Sequence, residues 1–393
     1  MREDFFKYQA QTTAFASGVE VSHAKGNYIF GTDGKAYLDF EAGVSANTLG
    51  HGNERINQAI IDQVNKHLHV MVYGEYAQEK PVALCKLLAE TLPDPLEVTY
   101  LVNSGAEAID ASLKLAKRVT GRQEIISAKM AYHGNTHGAL SVSGNEDFKR
   151  AFRPLLPDVH FIQFNNEEDI QRITEKTAGV ILETIQGAAG FIQPHNGWLK
   201  RVKQRCEEVG ALLILDEIQP GFGRTGKWFA FEHYGVVPDI LVLGKGMAGG
   251  LPIGAFVASA AHMKKLQANP KLGHITTFGG NPVVAAAALA TMQELHEGSY
   301  IQDIQAKEDL FRKLLVHPAI KSFPGKGLML ALELENEQIV QKVSALAMKK
   351  GLILFWLLYE TQFLRITPPL TISMEEIEKG CQIILECLNE VTI

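Results

Sequence analysis

Short apolar runs recur through the first two thirds of the chain, and segments with a helical spacing of apolar residues separate them. Trp198–Glu208 is one such helical segment. The regular alternation predicts an α/β fold with a large, mostly parallel sheet and helices on both faces. The runs that we interpret as strands are Val98–Val102, Ile125–Ser127, Val159–Phe164, Gly179–Glu183, Leu212–Leu215, Ile240–Leu243 and Ile253–Ala258.

The pattern changes from about Ala285, where long helical segments are followed by two strand-like runs, Phe323–Leu334 and Phe363–Ile366. This part of the chain predicts a smaller α+β domain. No internal repeat, low-complexity tract or flexible linker interrupts the sequence, so we expect the two parts to pack closely together.

Two of the apolar runs each lead into one ionisable residue. Leu212–Leu215 is followed by Asp216, and Ile240–Leu243 is followed, after one glycine, by Lys245. Ligands of open α/β sheets bind outside the carboxyl ends of the strands, so we expect the carboxylate and the amine to meet in one crevice. Taken alone, the two residues fit a solvated loop lysine and a helix-capping carboxylate better.

Together the two groups match one kind of cofactor chemistry. A lysine amine forms a Schiff base with the aldehyde of pyridoxal phosphate, and an aspartate keeps the pyridine nitrogen of that cofactor protonated. A phosphate site would complete the pattern. Val98–Val102 leads into Ser104, Gly105 and Ala106, small residues at the start of a predicted helix, where backbone N–H groups favour a phosphate. A simple capping box, Ser104 with Glu107, is the competing interpretation.

Further motifs follow along the chain in a fixed order. They are Asp33–Phe40, Leu49–Gly52, Asn103–Ala108, Tyr132–Gly134, Ile214–Gln219, Gly223–Gly226, Gly244–Gly246, Thr276–Pro282 and Leu364–Leu370. With these motifs the sequence resembles the class III pyridoxal-phosphate aminotransferases over essentially its whole length, most of all the acetylornithine and ornithine aminotransferases. The resemblance implies a fold-type-I transferase.

The resemblance assigns roles toward pyridoxal 5'-phosphate. It implies that Lys245 forms the Schiff base and moves protons, and that Asp216 pairs with the pyridine nitrogen. Gln219 is implied to bond the phenolic oxygen of the cofactor, and Tyr132 to stack on its ring. The backbone of Ser104–Ala106 is implied to bind the phosphate.

It also implies substrate and subunit contacts. Arg365 is expected to bind a substrate α-carboxylate with two hydrogen bonds. Thr277 is expected to reach the cofactor phosphate of a neighbouring subunit, which predicts a homodimer with shared active sites. The implied organisation has residues 1–45 packing with the small domain, a cofactor-binding domain over 46–284 and a small C-terminal domain over 285–393.

The sequence departs from the ornithine-type pattern where the substrate is expected to bind. Asn135 stands where an arginine is usual, and Ala188 stands where a glutamate usually pairs with the carboxylate-binding arginine. We therefore expect Arg365 to lack an acidic partner and to stay available to α-carboxylates in both half-reactions. At Ala106 a threonine is common, but the backbone N–H remains.

The predicted function is a ping-pong aminotransferase that moves the distal amine of N-acetylornithine or ornithine to 2-oxoglutarate. An ω-amino-acid or diamine transaminase is the alternative within the class, and a decarboxylase or aminomutase using the same cofactor is the alternative outside it. Glu183 is expected either to orient Gln219 or to be a satisfied buried acid. We expect His133 to stabilise a turn rather than to act in catalysis.

Other classes fit less well. Gly221–Gly226 matches the dinucleotide pattern G-x-G-x-x-G, but no amphipathic helix follows it and no acid ends a strand about 20 residues later. The chain of 393 residues has a net charge of −6 and no basic block, which argues against nucleic-acid binding. Its four cysteines and thirteen histidines show no metal-binding spacing, so no metal is predicted. No secretory or membrane-spanning segment is evident, and a cytoplasmic location is expected.

Overall fold

A seven-stranded sheet forms the centre of the fold in the computed structural model, which describes residues 1–13 and 16–392. Its strand order is β4-β10-β9-β8-β7-β5-β6. β10 is antiparallel to both of its neighbours and the other pairs are parallel, which confirms the predicted mostly parallel sheet. The strands are β4 (Val98–Val102), β5 (Glu124–Ala128), β6 (Val159–Ile162), β7 (Thr177–Glu183), β8 (Leu212–Asp216), β9 (Ile240–Gly244) and β10 (Gly254–Ala258).

The central strands β7, β8, β9 and β10 are buried along their full length. They are almost continuously apolar because helices cover both faces of a parallel sheet. The run predicted as Val159–Phe164 ends as a strand at Ile162. The next bond of the parallel ladder would join the Phe164 N–H to the Lys129 carbonyl. That carbonyl instead accepts the side-chain amide of Gln186 at 2.8 Å.

Two smaller sheets flank the central one. The first, in the order β1-β2-β3-β13, joins strands from both ends of the chain, and the second has the order β11-β12-β15-β14. The run predicted over Phe323–Leu334 is divided into two strands by a turn at Gly327, where φ is +62°. The bounds are β1 (Val21–Lys25), β2 (Tyr28–Gly31), β3 (Ala36–Asp39), β11 (Gly325–Lys326), β12 (Met329–Glu333), β13 (Leu352–Ile353), β14 (Phe355–Trp356) and β15 (Phe363–Ile366).

The helices lie around these sheets, and none within the described residues is both long and apolar enough to cross a membrane. α2 is unusual, because its four residues all have positive φ and form a single left-handed turn. The helices are α1 (Arg2–Tyr8), α2 (Ala42–Ser45), α3 (Glu54–Lys66), α4 (Glu79–Thr91), α5 (Gly105–Thr120), α6 (His137–Val142), α7 (Trp198–Val209), α8 (Ala260–Met263), α9 (Pro282–Glu297), α10 (Ile304–Leu314), α11 (Glu337–Lys349) and α12 (Met374–Thr392).

The buried centre of β8 is the first place to test this arrangement. Leu213 is fully buried there, so we expect Leu213→Ala to lower the free energy of unfolding by about 2–5 kcal/mol through lost packing and a residual cavity. Leu272, which is 54% exposed, supplies the matched control, and Leu272→Ala should change the free energy of unfolding by less than about 0.5 kcal/mol. Urea unfolding followed by circular dichroism measures both. Equal effects of the two substitutions would contradict the position of β8.

Candidate active site

A cavity of about 400 Å³ lies at the carboxyl ends of β7, β8 and β9. On its far side it is bounded by Val44 from α2 and by the segment 355–358, which begins in β14. The structure brings most of the predicted site residues together here. Those that line the cavity are Gly105, Ala106, Tyr132, Asp216, Gln219, Lys245 and Arg365.

Two predicted site residues lie outside this lining. Ser104 is the N-cap of α5, and its hydroxyl accepts a hydrogen bond from the Glu107 N–H at 3.2 Å. The Glu107 carboxylate reaches back to the N–H and side-chain amide of Asn103, at 2.8 and 2.9 Å, so the capping box is only partly formed. Thr277 is exposed on its own chain and away from the cavity.

The start of α5 faces the cavity through Gly105 and Ala106. These are the first two residues of the helix, so their N–H groups have no partner inside it. A Cβ at Gly105 would lie 2.7 Å from Cδ1 of Ile218, which explains why the closest approach is made by a glycine. The positive end of a 16-residue helix therefore opens on the cavity.

Lys245 follows β9 directly and begins a short 3₁₀ turn. Its φ is +40°, an uncommon value for a residue with a side chain, and such strain is concentrated at functional sites. Desolvation lowers the pKa of its amine, while the Asp216 carboxylate opposes that change and Arg365 adds to it. A lowered pKa increases the fraction of the amine that is neutral at a given pH, and the neutral amine is the form that acts as nucleophile and base.

Asp216 ends β8 and is held by two donors. Nδ1 of His133 lies 2.7 Å from its Oδ2, and the Ile218 N–H donates to its Oδ1 at 2.9 Å. The His133 side chain is fully buried, and within the described residues its Nε2 has no hydrogen-bond partner. His133 therefore does more than stabilise a turn, because it fixes the orientation of the carboxylate.

Glu183 ends β7 beside Asp216, in register with it. Its carboxylate accepts the Tyr132 N–H at 3.0 Å and the Gly187 N–H at 2.8 Å, so it is a satisfied buried acid. Burial raises the pKa of Glu183 to about 7. Gln219 lies nearby, and its buried Nε2 finds no hydrogen-bond partner among the described residues. That amide offers an unused donor to a ligand in the cavity.

The expectation that Arg365 lacks an acidic partner is wrong. Nη2 of Arg365 lies 2.6 Å from Oε2 of Glu41, and both side chains are about nine-tenths buried. Glu41 immediately precedes the left-handed turn α2, far from Ala188 in sequence. The carboxylate that neutralises Arg365 therefore comes from the N-terminal segment and not from the position that the sequence pattern suggested.

The donor set of the cavity fits one ligand in particular. The open start of α5 suits a phosphate, Lys245 suits an aldehyde and Asp216 suits a protonated ring nitrogen. The unused donor of Gln219 suits a phenolic oxygen. Together with the α/β fold, these groups define a pyridoxal-phosphate enzyme of fold type I.

Comparison with known proteins identifies the family. Residues 8–388 match the family model for class III aminotransferases. The chain is 36% identical over 380 residues to the acetylornithine aminotransferase of Caldanaerobacter subterraneus subsp. tengcongensis, covering 93% of this chain and 94% of that protein. It is 38% identical over an alignment of 408 residues to the putrescine aminotransferase of Pectobacterium atrosepticum, and the alignment covers 98% of this chain and 86% of that protein.

A solved structure agrees with these relatives. The ornithine aminotransferase of Toxoplasma gondii superimposes with a TM-score of 0.92 at 29% identity, covering 100% of this chain and 96% of the other. The chain therefore belongs to the class III aminotransferases, and pyridoxal phosphate is its cofactor. Its substrates are a small-molecule amino donor and an oxo-acid acceptor.

Two groups of the site were missed or undervalued in the sequence. The motif that contains Tyr132 and His133 does not indicate that His133 contacts Asp216. The available signal was that a buried aspartate needs a hydrogen-bond partner, which a histidine can supply. Glu41 follows the run Tyr37–Phe40, and nothing local distinguishes it from a solvated acid. Only the fold brings it to Arg365.

The charges around Lys245 predict a pH effect. An ionised Glu183 raises the pKa of Lys245, so Glu183→Gln should lower that pKa and move capture of pyridoxal phosphate toward lower pH. The effect should appear above about pH 7, where Glu183 is ionised. Stopped-flow absorbance of cofactor capture by the apo protein measures it, with the exposed Glu208→Gln as control. An unchanged pH profile would show that Glu183 does not act on Lys245.

Proposed function

We propose that this aminotransferase moves the distal amine of N-acetylornithine or ornithine to 2-oxoglutarate by a ping-pong mechanism. The observation that carries the proposal is that Lys245, Asp216 and Gln219 line the same cavity as the first residues of α5. Support for the donor comes from relatives named acetylornithine aminotransferase, which are 35–36% identical over more than nine-tenths of the chain.

Each residue has a part in this scheme. Pyridoxal phosphate, when bound, holds the substrate nitrogen and withdraws electrons from the adjacent carbon. Lys245 would move the proton at that carbon, and its lowered pKa favours this role. Asp216, oriented by His133, keeps the ring nitrogen protonated. Tyr132 lies against the ring.

The phosphate and the acceptor carboxylate are assigned to different residues of the cavity. The N–H groups of Gly105 and Ala106, with Ser104 capping the helix, bind the phosphate in this proposal. Arg365 binds the α-carboxylate of the 2-oxo acid, because a guanidinium donates two parallel hydrogen bonds to a carboxylate.

A second donor class is favoured by the mouth of the cavity. Asn135 is exposed and neutral there, and its amide donates to the Tyr132 hydroxyl at 3.4 Å. Phe355 and Leu358, which also line the cavity, are apolar and about two-fifths exposed. Such a surface suits a donor without a distal carboxylate, namely a diamine. An ω-amino acid, the other alternative, has a distal carboxylate that this surface does not favour. One relative is named putrescine aminotransferase.

We also propose that two chains share their active sites. Thr277 lies among exposed apolar side chains that include Ile275 and Phe278. Leu68 is also exposed and extends this patch. The segment that contains Leu68 is in contact with Asn281 and with the ring of Phe278. An apolar surface of this kind is typical of a subunit interface, and it supports a role for Thr277 at the phosphate of the neighbouring chain.

The donor can be identified by a single turnover without acceptor. The absorbance of the bound cofactor should change fastest with N-acetylornithine or ornithine when these are compared with a diamine, an ω-amino acid and alanine. A response to diamines alone would support the second candidate, and a response to ω-amino acids alone would contradict both donor assignments. Lys245→Ala should slow the response by about 10²-fold or more. A response to none of these donors in the native enzyme would overturn the proposed function.

Complementation tests the shared site. Lys245→Ala and Thr277→Ala chains should each form impaired dimers, but a mixed dimer contains one site with both native residues. Co-expression should therefore restore activity to about one quarter of the native level if subunits pair at random. If Thr277 acted within its own chain, no mixed site would be complete and no activity would return.

A further inference from the structure

The ion pair between Arg365 and Glu41 is incompletely bonded. Its contact joins Nη2 of Arg365 to Oε2 of Glu41 at 2.6 Å. In the part of the chain that the structure describes, Nε of Arg365 and both carboxylate oxygens of Glu41 are buried and lack a hydrogen bond of good geometry, although the nearby Phe355 backbone lowers the pKa of Glu41. A guanidinium meets a carboxylate best through two parallel hydrogen bonds, so this pair leaves bonding capacity unused.

Arg365 is placed so that a ligand can use that capacity. It lies in β15 opposite Phe355 of β14, and its guanidinium is 5.7 Å from the centre of the Phe355 ring. Both residues line the cavity that contains Lys245. A carboxylate entering beside Lys245 therefore competes with Glu41 for the same guanidinium.

The backbone of Glu41 is held in place, which leaves its side chain as the movable part. Oδ1 of Asp39 accepts the N–H groups of Glu41 and Ala42, at 2.8 and 2.9 Å. The Thr367 hydroxyl donates to the Glu41 carbonyl at 3.3 Å. Release of Arg365 then requires rotation of one side chain and no change of the fold.

We propose that Glu41 is a displaceable carboxylate that occupies Arg365 while the amine donor reacts and gives it up to the carboxylate of the 2-oxo-acid acceptor. This inference rests on the proposed function and names a specificity-determining residue for it. A terminal amine has no carboxylate beside the reacting carbon, so it reacts with the pair intact. An α-amino acid or a 2-oxo acid has one and must displace Glu41.

The energetics favour such an exchange. Burial raises the pKa of Glu41 to about 7, although Arg365 opposes the shift, and the nearby Asp39 carboxylate adds to it. A released Glu41 can therefore take up a proton near neutral pH instead of remaining as an unpaired buried charge. The incoming carboxylate gains the second hydrogen bond that the resting pair lacks.

The test measures binding of glutarate, a dicarboxylate that lacks the reacting oxo group, to the cofactor-loaded enzyme by calorimetry. Glu41→Gln should bind glutarate about tenfold more tightly, because a competing charge has been removed. Arg365→Gln should weaken binding strongly, and adding Glu41→Gln to it should then have no further effect. Glu360→Gln removes a charge from the loop between β14 and β15 without contacting Arg365, and it should leave the affinity unchanged.

A kinetic readout separates this role from a structural one. Glu41→Gln should lower the KM for 2-oxoglutarate, and it should increase the rate with L-glutamate as donor more than the rate with a terminal amine. Glu41→Asp, whose shorter side chain reaches Arg365 less well, should act in the same direction and provides a second variant if the first folds poorly.

The proposal fails if Glu41→Gln weakens glutarate binding, or if its effect persists in the Arg365→Gln background. Such a result would make Glu41 a structural partner of α2. The binding measurements do not depend on turnover. A native enzyme that reacts with no amine donor would therefore refute the proposed function while the glutarate comparison still decides whether Glu41 competes for Arg365.

Discussion

The site depends on the mutual compensation of charges that have been removed from water. β7, β8 and β9 are apolar along their length, and the ionisable residues Glu183, Asp216 and Lys245 come only where these strands end. An isolated buried charge is too unfavourable to persist, so each needs a partner. Glu183 has two backbone N–H groups and Asp216 has His133. Desolvation and these neighbouring charges together set the pKa of Lys245.

The same constraint connects distant parts of the chain. Arg365 stands on β15 of the C-terminal sheet, and the carboxylate that neutralises it comes from the segment after β3. β3 itself pairs with β13, so the N-terminal strands and the C-terminal elements reach the cavity as one packed unit. The central sheet thus supplies the groups that suit a cofactor, and the flanking sheets supply the group that suits a substrate carboxylate. The walls of the cavity therefore come from the central sheet and from the flanking elements together.

The sequence predicted the central sheet and its ligand-facing edge well, because apolar runs that end in a charge produce a strong local signal. It placed Lys245 and Asp216 at one crevice, and they line one cavity. It overextended the strand ending at Ile162, because the Gln186 side chain occupies the Lys129 carbonyl that the next ladder bond would use. It could not predict the partner of Arg365, because an ion pair between distant segments depends on tertiary packing and leaves no periodic pattern. The hydrogen bond between His133 and Asp216 also joins distant segments, so the sequence could not predict it.

The left-handed turn α2 fixes the position of Glu41 at a cost in backbone strain. Ala42, Val44 and Ser45 have φ between +47° and +65°, and a residue with a side chain costs roughly 1 kcal/mol or more in this region. A chain under no functional constraint would relax such a turn or place glycine throughout it. Here Asp39 holds its start by accepting two N–H groups. The strained turn places Val44 against the cavity and follows directly on the residue that reaches Arg365. Strain of this kind persists where surrounding contacts enforce it, and these contacts set the position of the Glu41 carboxylate beside Arg365.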